Sequence, residues 1–303
     1  MASGPPNSSQ TNRYAQNIGS FDNQGLVIGF KHLFPKAGEE WTADVTYNGM
    51  TSKNTNDIRT DVYPDPTQSV FKRSQQQQLG NGINNSLILQ TDYVRPISEK
   101  EKWEMGLRAQ FRQVDNRNDF YLIPTTGSPI YLSDLSVNYT SDDRVYAAYT
   151  TYTNMLGKWG YQAGLRLESS DYIGNLPDKS QSFNITFPVS LFPSLYLTRK
   201  AAKEQEVQLN YTRKINRPNF WQLYPFTDYS DSLNISRGNP DLRPEFTNSI
   251  EMSYQKTFKN RDNFIASAYY KRTEGLITRY QAKEIAPVSG KDILINTYLN
   301  AQS

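Results

Sequence analysis

Hydrophobic and polar side chains alternate along several segments of the chain. In residues 102–112 every second position belongs to an apolar set, which consists of Trp103, Met105, Leu107, Ala109 and Phe111. Residues 158–168 repeat this period with Trp159, Tyr161, Ala163, Leu165 and Leu167. Because successive side chains of a β-strand point to opposite faces, each segment predicts a strand with one apolar face and one polar face.

These strand-like segments come in pairs joined by short polar links, and longer polar links separate the pairs. Short turns at one rim and long loops at the other are typical of bacterial outer-membrane barrels. The predicted pairs are 25–34 with 41–48, 86–97 with 102–113, 144–154 with 158–169, 187–198 with 204–212, and 247–258 with 263–272. The predicted long links are 49–85, 114–143, 170–186, 213–246 and 273–292, and the run 293–299 predicts an eleventh strand.

The pattern therefore predicts an all-β fold, an antiparallel up-and-down transmembrane β-barrel that is partial, with about eleven strands. Residues 1–24 are expected to be an irregular N-terminal segment, and residues 25–303 to form the partial outer-membrane barrel. Hydrophobic residues make up only 37% of the chain, which suits strands that are apolar at every second position. A soluble sheet that buries its apolar face in a core has the same period and remains an alternative.

Aromatic residues recur where strands leave the short turns. Aromatic rings favour the boundary between membrane and water, because they combine an apolar body with a polar or polarisable edge. The pattern predicts a membrane-interface girdle, with burial in a sheet core as the alternative. The girdle residues are Trp41, Trp103, Trp159 and Phe264.

The net charge of +3, without a block of like charge, gives no indication of nucleic-acid binding. There is no cysteine, which excludes disulfides and thiolate metal sites. His32 is the only histidine and lies in a predicted strand, so we expect a structural role for it and no enzymatic activity. The carboxylates of Asp142, Asp143, Asp228 and Asp231 lack the spacing of a calcium loop. No cofactor or metal site is expected.

The polar side of the predicted strands faces the lumen if the apolar side faces lipid. Two interpretations of this lumen-facing set remain open. Its members could contact a plug domain or a polar solute, or they could pair with one another along the wall. The set consists of Glu104, Arg108, Gln110, Arg112, Arg166 and Glu168.

Three stretches near the C-terminal end form a longer signature. They are Arg-Lys-Ile-Asn-Arg-Pro at 213–218, Gln-Leu-Tyr-Pro-Phe at 222–226 and Gly-Asn-Pro-Asp-Leu-Arg-Pro-Glu at 238–245. Together with 90–96 and 191–194, this signature resembles that of TonB-dependent outer-membrane receptor barrels of the carboxypeptidase-regulatory-like type. The resemblance covers the chain from about residue 25 onward.

The prolines of the signature end strand pairing and exclude helix before them, so we expect a stiff external loop. Aromatic residues give this loop a surface that suits ligand binding. The candidate ligand-binding residues are Trp221, Tyr224, Phe226 and Tyr229.

The resemblance implies a barrel in the Gram-negative outer membrane that encloses an N-terminal plug. A large solute would dock among the external loops, and the TonB complex would move the plug to admit it. No signal peptide, plug or terminal aromatic strand is recognisable here, so we expect a fragment of a longer receptor. The expected partners are lipid, the plug, the TonB complex and an unknown solute. A passive porin-like or adhesin barrel and a secreted β-sandwich that binds carbohydrate remain alternatives.

Overall fold

The computed structural model describes residues 10–63, 72–133, 135–202, 204–223, 236–285 and 292–301. These residues are almost entirely β-strand. The strands are β1 (Gln10–Leu33), β2 (Glu40–Tyr63), β3 (Lys72–Ser98), β4 (Glu101–Ile123), β5 (Ile130–Tyr131), β6 (Val137–Leu156), β7 (Trp159–Leu176), β8 (Gln181–Ala202), β9 (Gln205–Asn216), β10 (Glu245–Thr257), β11 (Asn263–Glu274), β12 (Ile277–Ile285) and β13 (Asp292–Asn300). A single helical turn, α1 (Phe220–Leu223), follows β9.

Neighbouring strands pair antiparallel in the order of the chain, from β1 to β4 and from β6 to β11. The short strand β5 pairs with β4, and β4 also pairs directly with β6. Among the described residues the sheet does not close, because β1 and β11 stand at its two edges. The predicted all-β, antiparallel, up-and-down fold is confirmed.

The first strand begins earlier than the sequence pattern indicated. Residues 10–24 belong to β1 and pair with residues 49–63 of β2, so the predicted irregular segment is wrong over this range. Most of the predicted long links at 49–85, 114–143 and 170–186 is likewise strand. Both faces of these strand extensions carry many polar residues. Their sequences therefore lack the regular alternation of apolar and polar residues from which a strand is predicted.

The predicted eleventh strand, residues 293–299, lies within β13, which pairs with β12 in a separate two-stranded sheet. It is therefore not the next strand of the large sheet. Its run of apolar residues is explained by packing, since Ile295 is buried and Tyr298 packs against the hydrophobic cluster that contains Leu223 and Leu242.

The strands are much longer than a bilayer requires. β1 and β2 have 24 residues each, which is about 80 Å of strand, whereas about ten residues cross the membrane. On β7 the apolar face runs from Trp159 to Leu167 and then changes to Ser169 and Asp171. The hairpins therefore extend well beyond the apolar band, on the side away from the short turns.

The apolar face of the sheet is not covered by a second layer. The exposed fractions are 36% for Met105, 60% for Leu107, 43% for Leu165 and 38% for Leu209. A β-sandwich would bury these side chains, so the soluble-sandwich alternative does not hold for the described residues. No described helix has the length and apolarity needed to cross a membrane.

Candidate functional site

The residues predicted to face the lumen lie on one face of the sheet, which we call the polar face. Arg108 of β4 lies opposite Ala147 of β6, and Ala147 lies opposite Glu168 of β7. Residues that are direct partners across strands share a face. By alternation along β4 and β7, the polar face contains Glu104, Arg108, Gln110, Arg112, Arg166 and Glu168.

Ion pairs connect most of the charged residues of this face. Glu104 pairs with Lys102 at 3.0 Å. Arg112 Nη2 lies 3.0 Å from Asp143 Oδ2, which belongs to the neighbouring strand. Glu168 accepts hydrogen bonds from Arg166 at 2.8 Å and from Arg217. Each carboxylate named here therefore has at least one cationic partner.

Arg108 differs from the other arginines of the polar face. Its guanidinium donates to Gln90 Oε1 at 3.3 Å and to Gln110 Oε1 at 3.2 Å. Both acceptors are neutral amides, and no carboxylate of a described residue lies within ion-pairing distance of Arg108. A cavity of about 280 Å³ lies beside it, and its lining includes Arg108, Gln110, Asp143, Arg166, Glu168 and Arg217.

A folded segment covers the far end of the polar face, and we call it the cap. It consists of residues 217–223, which include α1, residues 236–244, and the β12–β13 hairpin. The ring of Phe220 stacks on Tyr139 of β6 with 3.9 Å between centroids. Leu223 is fully buried, and Leu242 is nearly so. They join a hydrophobic cluster that also contains Tyr139, Tyr172, Leu176 and Phe187.

The polar face thus becomes apolar where the cap meets it. Glu168, Ser170, Tyr172 and Leu176 alternate along β7 and are all buried. Only the last two are apolar enough to receive α1. The change of character along one strand face explains where the cap can pack, because buried apolar area is the main favourable contribution to packing.

Arg217 connects the cap to the polar residues of the wall. Its Nε donates to Ser170 Oγ at 2.7 Å, and its Nη2 donates to Glu168. Arg217 follows β9, while both acceptors belong to β7, two strands away in the sheet. The hydrogen bonds and the ion pair together fix the position at which the chain enters α1.

The signature at 238–245 joins the parts of the cap. The Asn239 backbone N–H donates to the carbonyl of Gln222 at 2.6 Å, and its Nδ2 donates to the Tyr298 carbonyl at 3.0 Å. The Arg243 N–H donates to Asn300 Oδ1 at 2.8 Å. The Ile277 N–H donates to Glu245 Oε1 at 2.6 Å. These contacts make the signature a structural clamp between α1 and the β12–β13 hairpin.

Among the candidate ligand-binding aromatics, only Trp221 lies within the described residues; Tyr224, Phe226 and Tyr229 do not. Trp221 is 49% exposed. Its ring packs edge-on against Phe220, with 5.2 Å between centroids, and against Tyr139, with 5.4 Å. One part of the indole is therefore held by the cap, and the other part is accessible.

The predicted girdle residues stand within the first three positions of their strands, at the rim of the short turns. The Trp41 indole N–H donates to Thr91 Oγ1 on β3 at 2.7 Å. The Trp103 indole N–H makes the same bond to Thr150 on β6. Arg199 lies over the ring of Trp159, at 4.9 Å from its centroid. Together with Phe264, these rings remain about half exposed.

Burial changes the proton affinity of the tyrosines under the cap. Desolvation raises the pKa of Tyr172 to about 12 and also raises the pKa of Tyr139. Both phenols lie beyond the apolar band of the sheet. The raised pKa values reflect the cost of placing a charged phenolate in this apolar cluster.

The remaining candidate residues of the described chain make packing contacts and ion pairs. His32 lies edge-on against Phe34, with 4.6 Å between ring centroids. Asp143 pairs with Arg112, while Asp228 and Asp231 lie outside the described residues. No three histidines or carboxylates of the described chain come close enough together to hold a metal ion.

Sequence reasoning missed Arg217 and Tyr139 as parts of the site. Both fall in segments that the pattern assigned to long loops. The sequence signal for Tyr139 is limited to the apolar Val137 two positions before it, with the polar Asn138 between them. Arg217 belongs to the signature at 213–218, but nothing in that stretch indicates its partners, which lie 47 and 49 residues away.

A model of the outer membrane protein beta-barrel family matches residues 32–303. Among solved structures, the copper transporter OprC is 11% identical with a TM-score of 0.50, and the match covers 91% of this chain and 48% of that one. The hemophore receptor HasR of Serratia marcescens, as a double mutant with HasA and heme, is 12% identical with a TM-score of 0.49, covering 93% and 50%. The ferric-catecholate receptor Fiu of E. coli K12 is 11% identical with a TM-score of 0.48, covering 86% and 43%.

The chain spans about half the length of these solved structures. At these identities the likeness concerns the fold alone, and of these three structures OprC has a TM-score that supports it. No curated protein matches the chain.

Proposed function

Since the chain belongs to the outer membrane protein beta-barrel family and lies in the Gram-negative outer membrane, we propose that it is part of a TonB-dependent receptor. This receptor takes up a large solute across the outer membrane. Its apolar face contacts lipid, and its polar face lines the lumen. The girdle of Trp41, Trp103, Trp159 and Phe264 lies at the membrane–water interface.

The observation that carries this proposal is the cap. It packs on the polar face and is joined to it by Phe220, Leu223 and Arg217. A passive pore needs a lumen that stays open, whereas a receptor needs a folded external surface that recognises its solute. The cap supplies such a surface, and the exposed part of Trp221 belongs to it. We assign Trp221 to solute contact, and likewise Tyr224, Phe226 and Tyr229.

In a complete receptor, the barrel would enclose a plug domain, and the TonB complex would move it. OprC, whose fold is similar, is a transporter by its name. We extend transport to this chain and leave the solute open, since copper is a property of OprC alone.

Two measurements on the whole protein test this function without knowledge of the solute. One is conductance in planar lipid bilayers, and the other is binding to the purified periplasmic domain of TonB. We expect a closed, low conductance and saturable binding of the TonB domain. A steady open conductance without TonB binding would contradict the proposal and favour a passive porin.

A further inference from the structure

We propose that the cavity between Arg108, Arg166 and Arg217 is a binding site for a carboxylate group of a small polycarboxylate solute, and that Arg217 couples occupancy of this site to the cap. This inference rests on the proposed uptake function and names the chemical class that the polar face recognises.

The charges that line the cavity are the first argument. Three guanidinium groups, those of Arg108, Arg166 and Arg217, face two carboxylates, those of Asp143 and Glu168. Asp143 is already paired with Arg112 at 3.0 Å. Glu168 is shared between Arg166 and Arg217. Among the described residues, the lining of the cavity therefore has more guanidinium groups than carboxylates, and its net charge is positive.

The positively charged guanidinium of Arg108 is held in a position in which it can bind an anion. Gln90 and Gln110 hold its guanidinium from two sides through their amide oxygens. A guanidinium presents five N–H donors in a planar fork that matches a carboxylate in bidentate geometry. Two of these donors are satisfied by neutral acceptors. The other N–H donors belong to the same side chain, Arg108, which lines the cavity.

Asp92, a carboxylate on the neighbouring strand β3, is engaged elsewhere. Its Oδ1 accepts the hydroxyl of Tyr149, and its Oδ2 accepts the Gln90 amide at 2.8 Å. It therefore orients Gln90, which in turn orients Arg108. The cavity volume of about 280 Å³ is close to the lower limit of small-molecule sites, which suits a compact acid.

Arg217 gives the site a second property. It is the residue through which the cap is bound to Glu168 and Ser170. A carboxylate that enters the cavity competes with Glu168 for the Arg217 guanidinium. Occupancy therefore weakens the polar attachment of the cap, while the packing of Phe220 and Leu223 is unchanged.

The test is calorimetric titration of the whole protein in detergent with tricarballylate, a small tricarboxylate. Its trimethyl ester is the uncharged comparison. We expect saturable binding of the acid, no binding of the ester, and weaker binding as salt screens the charges. Absence of tricarballylate binding, or equal binding of the ester, would overturn the proposal.

Three variants locate the site. Arg108→Gln is expected to weaken binding by about tenfold or more, because a charged hydrogen-bond donor is lost. Glu168→Gln is expected to tighten binding, because the competing carboxylate is removed. Arg261→Gln is the matched control, since Arg261 lies in the turn between β10 and β11 and is remote from the cavity. Unchanged binding in Arg108→Gln, or weaker binding in Glu168→Gln, would overturn the proposal.

The coupling to the cap is read from the fluorescence of Trp221, taken as the difference from Trp221→Phe. Tricarballylate is expected to change this signal in the wild type and to leave it unchanged in Arg217→Gln. A wild-type signal that does not respond would overturn the coupling. None of these titrations needs TonB or a potential, so this site can fail while the conductance and TonB measurements succeed, and the reverse.

Discussion

The ring of Tyr149 lies directly over Gly106, its partner on the neighbouring strand. An added Cβ at Gly106 would come within 2.5 Å of the tyrosine ring and of Asp92 Oδ1. The tyrosine hydroxyl donates to Asp92 of β3, and Arg166 of β7 lies over the ring at 5.4 Å. One side chain thus connects four strands, and the missing side chain of Gly106 makes this possible. Gly174 and Phe183 form the same arrangement between β7 and β8.

We expect Gly106→Ala to destabilise the barrel by about 1–3 kcal/mol, because Tyr149 has to move away from its hydroxyl and ring contacts. Urea unfolding of the whole protein in detergent measures the effect. Gly19→Ala in β1 is the control, since a Cβ there meets no atom closer than 3.6 Å. Equal effects of the two changes would contradict the role assigned to Gly106.

Leu223→Ala should loosen the cap without unfolding the sheet. Leu223 is fully buried against the wall cluster, and a buried leucine truncated to alanine costs about 2–5 kcal/mol. Hydrogen exchange over residues 217–223 is expected to accelerate, while exchange in β2 and β3 stays constant. Leu276→Ala serves for comparison, because Leu276 is half exposed. A uniform acceleration throughout the sheet would speak against a separately stable cap.

Asn239→Ala should release the β12–β13 hairpin from α1. The variant loses the bond from Nδ2 to the Tyr298 carbonyl and the bond that Oδ1 accepts from the Asp241 N–H, each worth about 1 kcal/mol. Limited proteolysis is expected to cut between β12 and β13 sooner than in the wild type. In Asn260→Ala, a change in the turn between β10 and β11, the cutting rate should not change. Equal protection of both variants would argue that the signature is not a clamp.

Alkaline pH should weaken the attachment of the cap through Tyr172. The pKa of this phenol is raised from 10 to about 12 by burial, so the unfolded chain loses the proton first. The stabilisation is complete below pH 10 and is lost as the pH rises from 10 to 12. Tyr172→Phe is expected to reduce this dependence of cap stability to the part that comes from Tyr139, whereas Tyr269→Phe, a change at an exposed position of β11, should preserve it in full. Identical pH profiles of all three proteins would contradict this prediction.

The girdle tryptophans and Trp221 should differ in their contact with lipid. In vesicles of lipids brominated near the headgroup, the fluorescence of Trp41, Trp103 and Trp159 is expected to be quenched, because their rings stand at the short-turn rim. Trp221 lies on the cap beyond the apolar band and should be unaffected. Single Trp→Phe variants assign the signal to each residue. Quenching of Trp221 as strong as that of Trp103 would contradict the position assigned to the apolar band.

The alternating pattern alone determined the antiparallel order, the short turns and the two faces of the sheet. A strand that faces lipid needs an apolar residue at every second position. The alternation of residues such as Met105, Leu107 and Leu165 with polar neighbours can therefore be recognised from the sequence alone. The same logic placed Arg108, Arg166 and Glu168 together on one face. Strand direction and side-chain alternation depend on residues that are close together in the chain, so they can be predicted from the sequence.

The tertiary structure decided the length of the strands, the place of β13 and the existence of the cap. Beyond the membrane both faces of a strand meet water, so no period marks residues 10–24 as strand. The cap depends on contacts such as that of Arg217 with Glu168, 49 residues apart. Such contacts arise only when the sheet brings β7 beneath the segment after β9, and no short stretch of sequence encodes that proximity.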